Sequence, residues 1–192
     1  SFRVIPGTYT VKMIVAGRTY VRELVVHKDP SSAGSEADIR TQAVLLSELH
    51  AMSEAVADII DATEWLRKQI SDLREARTAD RRFGPLLRNA GELEQRLEAL
   101  EGQLIELRLT GARQDWLRWP ARFYAKLGSL AGSLGSSDFP PTESQAAVQA
   151  QYREQLTGYQ ADLRRILRVD VPALNKILTS KGIPALEVPR YP

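Results

Sequence analysis

The chain has 192 residues, enough for one domain of about 150 residues with an appendage. Its 26 Lys+Arg against 24 Asp+Glu leave a net charge of +2, too small an excess for a nucleic-acid footprint. Zero cysteines and two histidines exclude a disulfide framework, thiolate catalysis and a Cys- or His-rich metal site.

The first 30 residues are β-rich. From Thr8 to Val15 the large side chains Tyr9, Val11, Met13 and Val15 alternate with Thr10 and Lys12, the period of a half-buried strand. Tyr20 to Val26 is a second such run, with Tyr20, Leu24 and Val26 in phase. Ala16-Gly17 between them forms a two-residue turn, with Gly17 at a φ > 0 position. That loop length pairs Val15 with Arg18, Met13 with Tyr20 and Tyr9 with Leu24. A lone two-stranded hairpin is marginal in water, and no other strand follows. Residues 1–30 are therefore expected to be the remnant of a sandwich whose earlier strands are missing.

Residues 31–35 close a Pro/Gly/Ser linker, and Ser35 opens a helix with Glu36 and Asp38 in its first turn. Leu45, Leu49, Met52, Val56, Ile59, Thr63, Leu66, Ile70 and Leu73 then step by four and three. After a break near Phe83-Gly84-Pro85, the series Leu86, Ala90, Leu93, Leu97, Leu100, Leu104 and Leu107 does the same. Strict heptads joined by a short connection predict an antiparallel helical hairpin with coiled-coil packing. The expected seam pairs Ile70 with Leu93, Leu66 with Leu97 and Ile59 with Leu104, and places Leu107 opposite Val56. The first helix then overhangs before Val56, and that overhang must pack on the fourth and fifth helices or on another protein. Glu92, Glu94 and Glu98 are expected near the basic end of the first helix (Arg67, Lys68, Arg74, Arg77).

Gly111 is expected to stop the second helix. A third runs from Pro120, suited to a first turn, to about Leu134. Thr142 with Gln145 reads as a capping box for a fourth. Asp170-Val171-Pro172 restarts the chain as a fifth helix, ended by Gly182. The fold class is thus mainly α: an N-terminal β-hairpin, a long antiparallel helical hairpin and a short bundle, about five helices in all. The bundle spans 36–183, followed by an extended tail over 184–192.

The sequence holds no Gly-rich phosphate loop, H-E-x-x-H, EF-hand loop or G-x-S-x-G elbow. No catalytic residue, cofactor or metal ligand is therefore assigned; His27 and His50 read as structural. No apolar run reaches the roughly 18 residues of a membrane span, and no signal peptide is recognised at the start. The candidate contact site is Trp116, Arg118, Trp119, Arg122, Phe123 and Tyr124. Aromatics alternating with arginines suit a peptide, a sugar or single-stranded nucleic acid. The competing expectation is that Trp116, Trp119 and Phe123 plug the end of the bundle while the arginines reach outward. Nucleic acid is set aside because the rest of the chain offers no basic groove.

PGTYTVKMIVAGRTYVRELVV resembles the closing hairpin of the Ig-like module that follows the propeller in bacterial sortilin-like BNR-repeat proteins. QDWLRWPARFYAKLGSLAGSLGSSDFPPT, with the VPALNKIL…GIP ending, is similar to their helical C-terminal region. The resemblance implies a periplasmic or secreted protein whose propeller is often labelled a glycosyl hydrolase or sialidase; none of the propeller's repeats lie in this chain. Three expectations follow. The chain is a non-catalytic docking domain or accessory subunit bound to the parent propeller or to a larger assembly, which can be membrane-bound. Alternatively, it is the accessory tail of a propeller hydrolase and contributes carbohydrate binding. The heptads also admit a homodimer, unless each seam is satisfied within the chain.

Overall fold

The computed structural model describes residues 4–112, 114–188 and 191; of Trp116 only the backbone is described. It is mainly α, with one β-hairpin. Strands β1 (Gly7–Val15) and β2 (Arg18–Val26) pair antiparallel, with Val15 opposite Arg18, Met13 opposite Tyr20 and Tyr9 opposite Leu24. The expected register follows from the turn. Ala16 and Gly17 take φ of 50° and 78°, the two left-handed positions of a type I′ turn, whose twist matches the strands. Ala16 adopts this at a cost of about 1 kcal/mol or more, because it carries a Cβ.

Six α-helices follow among the described residues: α1 (Glu36–Arg77), α2 (Gly84–Leu104), α3 (Asp115–Arg118), α4 (Phe123–Leu134), α5 (Glu143–Arg165) and α6 (Val171–Ser180). They belong to two compact units. The first comprises Ser1–Ala51 and Ser129–Ala150; the second comprises Met52–Gly128 and Gln151–Pro192.

In the first unit, Ser35 and Asp38 form a reciprocal cap: the Asp38 amide donates to Ser35 Oγ and the Ser35 amide to Asp38 Oδ2. Thr142 and Gln145 repeat the device at α5. The overhang of α1 is held here through two buried amides. Gln42 Nε2 donates to the carbonyls of Leu134, Ser137 and Phe139. Gln149 Nε2 donates to Glu48 and to the Leu45 carbonyl. Its partners are thus the end of α4 and the start of α5, the predicted third and fourth helices rather than the fourth and fifth. The linker is also docked: Gly34 is buried, and a Cβ there would overlap the Asp138 carbonyl.

In the second unit, Val56, Ile59, Leu66, Ile70, Leu97 and Leu104 lose all solvent contact. Two ion pairs fix the direction of packing: Arg67 with Glu101, and Arg74 with Glu94. Seven residues forward on α1 match seven back on α2, which is antiparallel heptad geometry. Helix α2 ends at Leu104 rather than near Gly111. Ile105 is extended, and Leu107 is exposed instead of facing Val56.

The predicted third helix starts later than expected, and a short turn that the sequence pattern did not show precedes it. A single turn covers Asp115–Arg118, Trp119 is extended, and α4 begins at Phe123 rather than Pro120. The extension of Trp119 follows from Pro120, which biases the residue before it away from the helical region. Between α5 and α6 the chain does not restart. A π-helical turn, Ile166–Asp170, joins them, with the Val171 amide reaching back to the Ile166 carbonyl. Pro172 follows directly on this turn, whose wider i→i+5 bonding accommodates a residue without an N–H.

Gly182 ends α6 at φ 68°, its amide bonded to the Thr179 carbonyl and that of Ile183 to Leu178, a Schellman closure. The tail that follows is clamped. Asn175 brackets Leu186, donating to its carbonyl and accepting from its amide. Gln69 does the same to Glu187.

Candidate functional site

The aromatic segment is organised by two carboxylates that the sequence pattern did not single out. Asp115, buried at the start of α3, accepts from the Thr110 amide (2.7 Å), the Ala112 amide (3.2 Å) and the Thr110 hydroxyl. It thereby closes the loop through Gly111, whose φ of 81° needs a glycine. Glu106, also buried, takes Arg108 Nε at 2.5 Å and Nη2 at 2.8 Å, and Arg122 Nε at 3.0 Å. The Arg108 guanidinium bonded to it holds the Glu106 carboxyl at about 2, well below its usual 4.5.

Arg108, so anchored, lies over the indole of Trp119 at 3.7 Å from the ring centroid, a cation–π stack. Trp119 is half-buried. Phe123 is buried and meets Tyr152 and Tyr159 edge-on, with centroids 5.6 and 5.2 Å away, the arrangement that ring quadrupoles favour. Burial in turn pushes the Tyr159 hydroxyl above its ordinary range. Tyr124 and Arg118 are exposed. The side chain of Trp116 lies outside the described residues. The six candidate positions therefore separate: Phe123 is a core ring, Trp119 a stacked wall, Arg122 a tether, and Tyr124 and Arg118 are surface groups.

A second surface is apolar. On the face of the hairpin formed by Val11, Met13, Val15, Tyr20 and Leu24, every one of these side chains is between 46% and 53% exposed. The same face carries Arg18 and Arg22 and no acid. Sequence alternation identified this face; only the structure shows that nothing among the described residues covers it.

Elsewhere, acidic side chains serve structure: Glu101 on Arg67, and Asp170 on Arg96 and Arg165. Among the described residues no group of three or more His, Cys, Asp or Glu is placed to hold a metal ion. Among the same residues no helix is long and apolar enough to cross a membrane. No family model, curated protein or solved structure matches the chain.

Proposed function

We propose that the chain is a non-catalytic interaction module that docks, through its β-hairpin, onto the β-sheet of a larger protein. The observation that carries this reading is the exposed apolar face of β1 and β2. Large side chains left half in water along nine-residue strands represent unspent hydrophobic free energy, about 25 cal/mol per Å² of apolar surface. A sheet packed on that face would complete a sandwich, and strand addition at the open edges would extend the ribbon.

Charge selects the occupant. Two copies face to face would gather Arg18 and Arg22 twice over with no acid in reach, so the complementary surface is an apolar sheet carrying Asp or Glu at its rim. This agrees with the Ig-like sandwich that the PGTYTV hairpin resembles. It also fits a periplasmic or secreted docking domain of a larger assembly.

Photo-crosslinking in the native source tests the reading, with benzoylphenylalanine at Met13 and, as control, at exposed Glu154 on α5. The expected result is one defined adduct from Met13, mapping to a β-strand of another domain, and none from Glu154. A Met13 adduct to a second copy of this chain, or equal yields at both positions, would overturn it.

A further inference from the structure

The two strands of the hairpin carry different side chains on its apolar face. β1 contributes Tyr9, Val11, Met13 and Val15, all uncharged; β2 contributes Tyr20 and Leu24 together with Arg18 and Arg22. On a sheet face that another sheet covers, a guanidinium is tolerated at the border, where its head reaches water past the last strand. β1 therefore has the composition of an interior strand, and β2 that of an edge strand.

The backbone agrees. The two-residue turn makes Val15 and Arg18 the first hydrogen-bonded pair, and bonded and non-bonded pairs then alternate along the ribbon. The amides and carbonyls of Thr8, Thr10, Lys12 and Ile14 thus point outward from β1, and those of Thr19, Val21, Glu23 and Val25 outward from β2. On the β2 side, Arg22 Nη1 donates to the outward Val21 carbonyl at 3.0 Å, capping an acceptor that an added strand would use. Among the described residues no side chain does this along β1. Tyr9 Oη donates to the Ile5 carbonyl at 2.6 Å. Because Tyr9 lies on the apolar face, that bond draws the incoming chain toward this face and away from the outer edge of β1.

We infer that the partner supplies a β-strand to the outer edge of β1, so that β2 becomes the border of the completed sheet; this rests on the docking proposed above. The occupant is one extended strand of a sandwich domain, because a row of alternating N–H and C=O groups is paired in series by another extended backbone. Its side chains toward the covered face are apolar and continue the row of Tyr9, Val11, Met13 and Val15. Two copies of this chain joined along β1 would double the uncovered apolar face. A strand from the sandwich whose other sheet covers that face pairs the edge and takes the face out of water together.

The test repeats the Met13 photo-crosslink, on the full chain in its native source, with a proline at each outer edge in turn. Lys12 and Val21 stand opposite each other in the ribbon, and neither amide is used within it. Lys12→Pro and Val21→Pro therefore each remove one outward N–H and leave the hairpin's own bonds in place. Lys12→Pro should lower the yield of the Met13 adduct about tenfold, the equivalent of one lost hydrogen bond, and Val21→Pro should leave it within about twofold. Benzoylphenylalanine at Thr10, on the outer edge of β1, should label the same partner domain. Amide exchange on the assembly gives a readout without any proline: Thr10, Lys12 and Ile14 should slow far more than Thr19, Val21 and Glu23. A wild-type chain without a Met13 adduct would defeat the docking itself, and this inference with it. With that adduct present, four results would overturn the edge assignment alone. These are an undiminished yield from Lys12→Pro, an equal or greater loss from Val21→Pro, slowing of the β2 amides in place of those of β1, or a Thr10 adduct to a second copy.

Discussion

Along α1 from Val56 to Ile70 the apolar stripe is sealed from solvent, while the apolar stripe of β1 and β2 stays about half exposed. Both stripes have the right periodicity for their element, and both belong to the same chain. They differ in whether a partner is present. The α1 stripe meets α2, which supplies a matching heptad and two ion pairs in one antiparallel register. The hairpin has nine residues per strand and only one neighbouring strand, so it cannot cover its own face. Periodicity identifies a face that must be buried; it does not identify what buries it.

The largest effect expected from breaking this contrast lies in the seam. Leu66→Ala removes a fully buried side chain and should cost about 2–5 kcal/mol, read by chemical denaturation of the second unit. Next comes the ion pair whose carboxylate is buried. Glu101 is almost wholly enclosed while Arg67 keeps some solvent, so Glu101→Gln should cost about 1–3 kcal/mol, between the exposed and fully buried limits. Glu94→Gln, which loosens the more exposed Arg74 pair, should cost less than about 1 kcal/mol.

A smaller effect is set by pH. Glu106 titrates lower in the folded chain than its ordinary 4.5, so its contribution is complete above that value and is lost as pH falls from 4.5 through about 2. With Trp65 and Trp116 replaced by Phe, the emission of Trp119 should stay constant through pH 4.5 and change only as pH approaches about 2, where Glu106 takes up a proton and Arg108 is released. A transition near neutrality would contradict the assigned stack. Smallest of all is Leu24→Ala. In the isolated chain it removes contacts that water already shares, and it should shift stability by less than about 0.5 kcal/mol.

These sites also divide what the sequence could and could not disclose. The hairpin register was legible because a two-residue turn fixes every pair. The buried stripe and antiparallel sense of the seam were legible because heptads carry both, and the caps at Ser35, Thr142 and Gly182 have local signatures. The end of α2 was not legible: Leu107 keeps the heptad phase, yet the chain has left the helix at Ile105. What directs it there is Glu106 gripping Arg108 and, sixteen residues on, Arg122, a link no period reports. The role of Asp115 was hidden for a similar reason, since its partners are backbone amides in a loop. The clamps on the tail by Asn175 and Gln69 are likewise tertiary, the second joining residues 118 apart. At the aromatic segment, residue types marked the region but gave Phe123 and Trp119 the same standing. Only packing separates the core ring from the stacked indole.

The central claim, a seam completed within the chain and a hairpin left incomplete, is tested most directly by amide hydrogen exchange measured on the isolated chain and on its native assembly. In the isolated chain, amides of β1 and β2 should exchange far faster than those of α1 and α2 across the seam. In the assembly, the hairpin amides should become protected while the seam stays as it was. Equal protection of hairpin and seam in the isolated chain, or a hairpin unchanged by assembly, would contradict the account.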